Sequence, residues 1–360
     1  MKFNRISMLV AAVFVISTAC NPYKIEIPHW PYEDPDWVDD GSGNQGGWNP
    51  DDAGSTVVYP TAGGEKVPTL QTSGYFTTSV IEEGLTLYRF QGKCDVSNAN
   101  QDVYVLELDL DNPAYKLYFH YGGSTTSAAA KNLNAIAAVN GTYEQEAVYI
   151  RTQGTTRADV TIKQKPPKDG MLRYWKHNGA IVGDGRRFAI VNGAGKYPPH
   201  SEEAGDHAIE LYNSLPEPNI FAAAPMLIDD FVPVGETFVP EGVNPGSYEK
   251  ESYIGHQGNR HPRTAYALTE DNDLLLVIVD GRTNTAKGMT AKELTLFLKK
   301  HFNPRWALNM DGGGSSAMYI KGFGRADRND ILNNYTDTDD KGNLVERSVS
   351  THLIIQKVAD

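Results

Sequence analysis

The chain has 360 residues, 40% of them hydrophobic, enough to bury the core of one large domain or two ordinary ones. Acidic residues outnumber basic ones by 45 to 33, a formal net charge of −12. That balance repels phosphate backbones and anionic bilayers, so nucleic acid is not an expected partner, although a local basic pocket for a small anion stays open.

At the start of the chain, Lys2 and Arg5 precede an apolar stretch from Ile6 to about Val15. The stretch is short for a membrane span and has the layout of a secretory signal over residues 1–19. Ile16-Ser17-Thr18-Ala19-Cys20 resembles a bacterial lipobox, which predicts an acylated Cys20 and a lipid anchor in the cell envelope. A plain secretory signal is the alternative. Cys94 is then the one cysteine left, so an internal disulfide is excluded and a small buried hydrophobe is expected there. Residues 20–73 are rich in Pro, Gly, Asp and Asn without helical or strand period, which predicts a flexible acidic tether. A single domain is expected over residues 74–360.

Leu85 to Phe90, Val103 to Leu110 and Tyr115 to Tyr121 alternate as strands, the last two joined by an Asp111-Asn112-Pro113 turn, and together predict a β-meander. Ser127 to Leu133 predicts a short helix, and Ala135 to Val139 an apolar segment ending on Asn140-Gly141. The stretch IVGDGRRFAIVNG predicts a hairpin, as do Thr264 to Leu268 and Leu274 to Val279 around Thr269 to Asp273. Thr290-Ala291-Lys292-Glu293 fits a capping box, and Leu294, Phe297 and Leu298 continue at helical spacing to about His301. Asn303-Pro304 ends that helix before a strand from Trp306 to Met310.

A strand, a helix and a strand in this order predict a crossover with parallel strands, whose ends share one edge. Asp280-Gly281-Arg282 and Asn309, Asp311 and the glycines of WALNMDGGGSSAMYI (306–320) then meet, with His261-Pro262-Arg263-Thr264 at the same edge. Asn140 would join them if its strand were also parallel. Two guanidiniums, Arg263 and Arg282, suit a phosphate, and Gly312, Gly313 and Gly314 would let a ligand approach the backbone. The plain alternative pairs Arg263 with Asp311 and Arg282 with Asp280 as loop-pinning ion pairs.

Other motifs fail on their context. A strand-like AMYI follows the glycines where a dinucleotide fingerprint needs a helix, and the P-loop lysine is missing. Ser315 lacks the glycine and the His partner of a nucleophile elbow. In Asp337 to Ser348, Lys341 and Ser348 occupy positions where a calcium loop needs ligands, which leaves a solvated turn. His256 and His261 are read as surface or core residues.

Six motifs in order, AVNGTYE (138–144), AAAPMLIDD (222–230), HPRTAYAL (261–268), VDGRTNTAKGMTAKEL (279–294), ALNMDGGGSSAM (307–318) and RSVSTHLII (347–355), resemble the phosphodiester glycosidase domain family. That family includes the mammalian mannose 6-phosphate uncovering enzyme. The resemblance implies an α+β fold with mixed β-sheets and a few packed helices in a single catalytic domain. It implies a hydrolase that splits a sugar 1-phosphodiester at the anomeric C–O bond, with N-acetylglucosamine as the sugar of the mammalian member. Residue by residue it implicates Asn140, Gly141, Arg263, Thr264, Asp280, Gly281, Arg282, Asn309, Asp311, Gly312, Gly313, Gly314 and Ser315. Thr142, Tyr143 and Glu144, and Ala222 to Ala224, depart from the family's pattern and reshape the pocket.

The expected chemistry makes Asp311 the base or nucleophile and Asp280 or Glu144 the second carboxyl group. Arg263 and Arg282, with Asn140, Gly141, Thr264, Asn309, the glycines and Ser315, would hold the phosphate-bearing glycan. No cofactor is required; a divalent cation held by Asp280, Asp311 and Glu144 would make a phosphodiesterase instead. A surface glycan-binding lipoprotein is the non-enzymatic alternative.

Overall fold

The computed structural model describes residues 57–60, 69–159 and 173–358; the signal segment, Cys20 and most of the tether lie outside them. Three antiparallel sheets and a separate two-stranded hairpin build the described part. The largest runs in the order Phe76–Glu82, Leu85–Cys94, Ala99–Asp109, Asp273–Val279, Arg263–Leu268, Trp306–Asn309 and Met226–Ile228. A five-stranded sheet orders Thr155–Ala158, Ile150–Thr152, Asn219–Ala223, Gly179–Gly183 and Phe188–Asn192; a four-stranded one orders Met318–Ile320, Ala137–Asn140, Val349–Lys357 and Tyr115–Ser124. Helices Thr126–Asn132, Glu202–Ser214, Tyr253–Gly258 and Ala291–His301 pack around them. This is the expected α+β architecture.

The strands near the predicted edge run as their order implies. Asp273–Val279 and Trp306–Asn309 are parallel to each other, but Arg263–Leu268 lies between them and is antiparallel to both, pairing Arg263 with Val279 and Ala265 with Asn309. The capping box at the head of Ala291–His301 is formed in both directions, Thr290 to the Glu293 amide and Glu293 back to the Thr290 amide. Its Leu294, Phe297 and Leu298 then cover one face of the large sheet against Ala265, Ala267, Val277 and Val279. The opposite face, through Tyr266, Leu268, Leu276 and Ile278, packs on Phe119, Val139, Ile181 and Phe221 of the other two sheets. Alternation along each strand thus sorts side chains between two cores, and Cys94 is buried in the first.

Two expectations are corrected. The opening meander stops after Ala99–Asp109, because Asp273–Val279 takes its free edge; Tyr115–Ser124 pairs instead with Val349–Lys357. Part of the stretch assigned to the tether also docks: Val57 and Tyr59 pack on the core, Tyr59 donates to Glu217 at 3.0 Å, and the Gln71 amide donates to His301 O at 2.8 Å. Val57 and Tyr59 are apolar and aromatic side chains with core surface to cover.

Candidate active site

Asp311 follows the strand Trp306–Asn309 at the edge where the sheets meet. Its backbone is clamped by Asn140, whose Nδ2 donates to Asp311 O at 2.7 Å, while the Asp311 amide donates to Gly141 O at 3.2 Å. Asn140 comes from the four-stranded sheet through an antiparallel strand, so it reaches the rim without the parallel pairing the sequence called for. Its Oδ1 accepts from Thr264 Oγ1 at 2.8 Å and from the Ala317 amide at 3.1 Å, and its carbonyl accepts from Tyr266 OH at 2.8 Å. Asn140 and Thr264 therefore staple two sheets together under the acid. Burial lifts the Asp311 pKa to about 6, with Glu144 adding to the rise and the Ser315 hydroxyl, Lys176 and Arg347 opposing it.

The glycines have a steric purpose. A Cβ at Gly313 would sit 3.3 Å from Arg282 Nη2, and one at Gly314 only 2.6 Å from Arg347 Nη2. Gly313 also has φ +62°, where a side chain is strained, and a Cβ at Gly312 would lie only 2.8 Å from Pro262 O. The bare backbone thus makes room for two guanidiniums beside Asp311. Arg347 Nη1 donates to Ser315 Oγ at 3.2 Å and its Nε to Asp337 at 2.7 Å. Arg282 contacts His261 Nδ1 at 3.2 Å and, among the described residues, forms no ion pair with a carboxylate. Its backbone is left-handed, with φ 58°.

Glu144 is half exposed and lies 2.8 Å from Lys176 Nζ, which is itself buried. Burial disfavours the Glu144 charge, yet Lys176 outweighs it and holds the carboxyl below its usual range. Lys176 also lies 3.4 Å from Glu251 and 4.6 Å above the Tyr143 ring. The two acids are therefore pushed apart in pKa, Asp311 upward by burial and Glu144 downward by Lys176.

The remaining predicted residues are placed differently. Arg263 is no phosphate ligand: it is buried, and its guanidinium donates to Met289 O at 2.9 Å, Gln257 Oε1 at 2.8 Å, His256 O at 3.0 Å and Asn259 O at 2.9 Å. Strand parity explains the error, since Arg263 shares the face of Ala265 and Ala267, while Thr264 faces the rim with Tyr266. Asp280 is also turned away, its carboxylate held by Asn334 through the backbone amide at 3.0 Å and Nδ2 at 2.6 Å. Burial raises it to about 6, with Asn334 opposing and Asp102 adding. The two loop-pinning pairs, Arg263 with Asp311 and Arg282 with Asp280, do not form. Gly141 packs on Thr351, and Asn309 Nδ2 donates to Ala224 O at 2.8 Å and Tyr143 OH at 3.1 Å. No group of three His, Cys, Asp or Glu side chains that could hold a metal ion occurs among the described residues, so the trio Asp280, Asp311 and Glu144 is not assembled as a cation site.

Sequence reading missed Arg347, Lys176, His256 and His261. Arg347 opens the quoted closing motif, but no spacing rule ties it to glycines thirty residues upstream. Burial lowers the two histidines, His261 to about 4, with Arg263 and Arg282 adding, so both are uncharged donors or acceptors in a cation-rich setting. The stretch read as a solvated turn is a hairpin, Asp337–Thr338 with Leu344–Val345, whose Asp337 holds Arg347.

The phosphodiester glycosidase family profile matches residues 133–356, a span that contains every residue of this rim. Among solved structures, the chain is similar to the zebrafish N-acetylglucosamine-1-phosphodiester alpha-N-acetylglucosaminidase catalytic domain auto-inhibited by pro-peptide, with 17% identity and a TM-score of 0.52, covering 85% of this chain and 90% of that one. That likeness is one of fold. A hypothetical protein from Synechocystis aligns at 14% identity and a TM-score of 0.45, over 79% of this chain and 64% of that one. No curated protein matches the sequence.

Proposed function

The chain belongs to the phosphodiester glycosidase family and is a hydrolase of that class, and from this premise we propose that it cleaves a sugar 1-phosphodiester at the anomeric C–O bond. The observation that carries the reading is Arg282, a guanidinium without a carboxylate partner among the described residues, set with Arg347 over a glycine backbone beside Asp311. In a chain of net charge −12, two such cations on one rim suit an anionic group.

The phosphate of the substrate lies on Arg282 and Arg347. Water forms the new bond to the anomeric carbon; the C–O bond to phosphate breaks with its electron pair on the phosphate oxygen. The water proton passes to Asp311, whose pKa near 6 leaves it ionised at neutral pH and still basic. Glu144, kept ionised by Lys176, faces the positive charge that develops on the sugar. The leaving phosphomonoester has a second pKa of roughly 6, so two guanidiniums suffice to stabilise it without a strong acid. The lipobox-like sequence ending at Cys20 supports an enzyme anchored by lipid in the bacterial cell envelope.

A product screen over sugar 1-phosphodiesters and the matching glycosides without phosphate tests this. Free sugar and phosphomonoester are expected from the diesters, N-acetylglucosamine 1-phosphodiesters among them, with the plain glycosides left intact. Equal cleavage of both sets would remove the role of the arginines.

A further inference from the structure

Asp280 reaches the rim in the chain yet contributes nothing to its inner surface. We propose that it is a positioning residue that latches the segment from Asn333 to Arg347 onto the glycine loop, and so sets Arg347 against the phosphate. The proposal rests on the reading of Arg347 as a phosphate ligand.

The latch is short and fully buried at its base. Asp280 is 0% exposed, and both of its oxygens accept from the Asn334 amide, at 3.0 and 3.3 Å, while Asn334 Nδ2 adds a third bond at 2.6 Å. The neighbouring acid, Asp102, is neutralised separately by Arg89 at 2.7 and 2.9 Å, so Asp280 has Asn334 to itself. Beside the latch, Asn333 Nδ2 donates to Ser316 O at 2.8 Å and Asn333 Oδ1 accepts from the Met318 amide at 2.9 Å. Thr336 Oγ1 then reaches Gly313 O at 3.3 Å.

Beyond Thr336 the chain leaves the body of the domain. Residues 338–344 are exposed, and the hairpin they close is two residues long on each side. Arg347 takes its position from Asp337 on that hairpin and from Ser315. A hairpin with so little buried surface opens easily unless its base is fixed, and Asn334 is that base. A carboxylate is the right group there because it accepts at both oxygens. Asp280→Asn keeps one accepting oxygen but turns an NH2 toward a donor of Asn334, so part of the latch is lost.

The test compares Asp280→Asn and Asn334→Ala with the wild type in three readouts. In amide hydrogen exchange, residues from Thr336 to Arg347 should exchange faster in both variants while the sheets keep their protection. Binding of inorganic phosphate should weaken about tenfold or more in Asp280→Asn, the loss expected when a charge-assisted contact is no longer held in place. For the sugar 1-phosphodiester turned over fastest in the screen, KM should rise by a similar factor with kcat within about threefold. Asn334→Ala keeps the backbone bond and should move the same way by less, which covers a failure of the first variant to fold. Unchanged exchange, faster exchange with undiminished phosphate binding, or a kcat collapse at constant KM would each overturn the latch. Failure of the wild type to bind phosphate would instead sink the phosphate reading of Arg282 and Arg347, and hydrogen exchange alone would then decide the latch.

Discussion

Asp311→Asn is expected to lower kcat by about 10³-fold or more, the scale of losing a positioned base, with the thermal melt and circular dichroism close to wild type. The amide keeps the size of the side chain and can still meet Ser315, while the clamp from Asn140 and Gly141 acts on the backbone and is untouched. A pH profile tests the same assignment in the wild type. The base must be ionised to act, so kcat/KM should rise as pH climbs through about 6 and level off above it. Burial is the main cause of that position. Lys176 holds both carboxyls down, so replacing it should move this limb to higher pH and raise Glu144 from below its usual range, adding a second dependence on protonation.

Arg347→Ala and Arg282→Gly are expected to raise KM by about 10 to 100-fold each, since a hydrogen bond to a charged group contributes about 1.5–3 kcal/mol. The two should differ in stability. Arg282 holds a left-handed backbone at φ 58°, which costs an L-residue about 1–2 kcal/mol. Glycine removes that cost and adds about 0.5–1 kcal/mol of chain entropy, so Arg282→Gly should melt at or slightly above the wild-type temperature. An arginine held in a backbone where glycine would be easier supports the role proposed for its guanidinium. Inhibition by inorganic phosphate, measured alongside, should weaken in both variants; unchanged phosphate inhibition would place the anion elsewhere.

The elements of the last hundred residues were legible because each rests on local signals. The capping box at Thr290 and Glu293, the apolar spacing of Leu294, Phe297 and Leu298, and the turn at Thr269 to Asp273 all have short-range causes, and their order carries the parallel relation of the flanking strands. Which strand lies between them was not legible, since pairing partners come from distant segments. The site divides in the same way. Asp311, the glycines and Arg282 follow directly from strand ends, and they lie together at one rim. Arg263 and Asp280 were brought to the right edge, but the sequence does not say which side of it each side chain takes, and both turn away to satisfy buried groups. Lys176 and Arg347 enter from segments that local sequence gives no reason to join, and they complete the charges around the two acids.

The glycines of the GGGSS stretch illustrate the same limit. Their presence announces close approach, and the expectation was a ligand against the backbone. What approaches Gly313 and Gly314 are the guanidiniums of Arg282 and Arg347, so the loop is bare in order to seat the groups that would meet the anion.

The central claim is the bond that breaks, and hydrolysis in ¹⁸O-labelled water tests it most directly. With a sugar 1-phosphodiester as substrate, mass spectrometry of both products should find the label in the released sugar and none in the phosphomonoester. Label in the phosphate would mean P–O cleavage, and would contradict the roles given to Asp311 and to the two arginines.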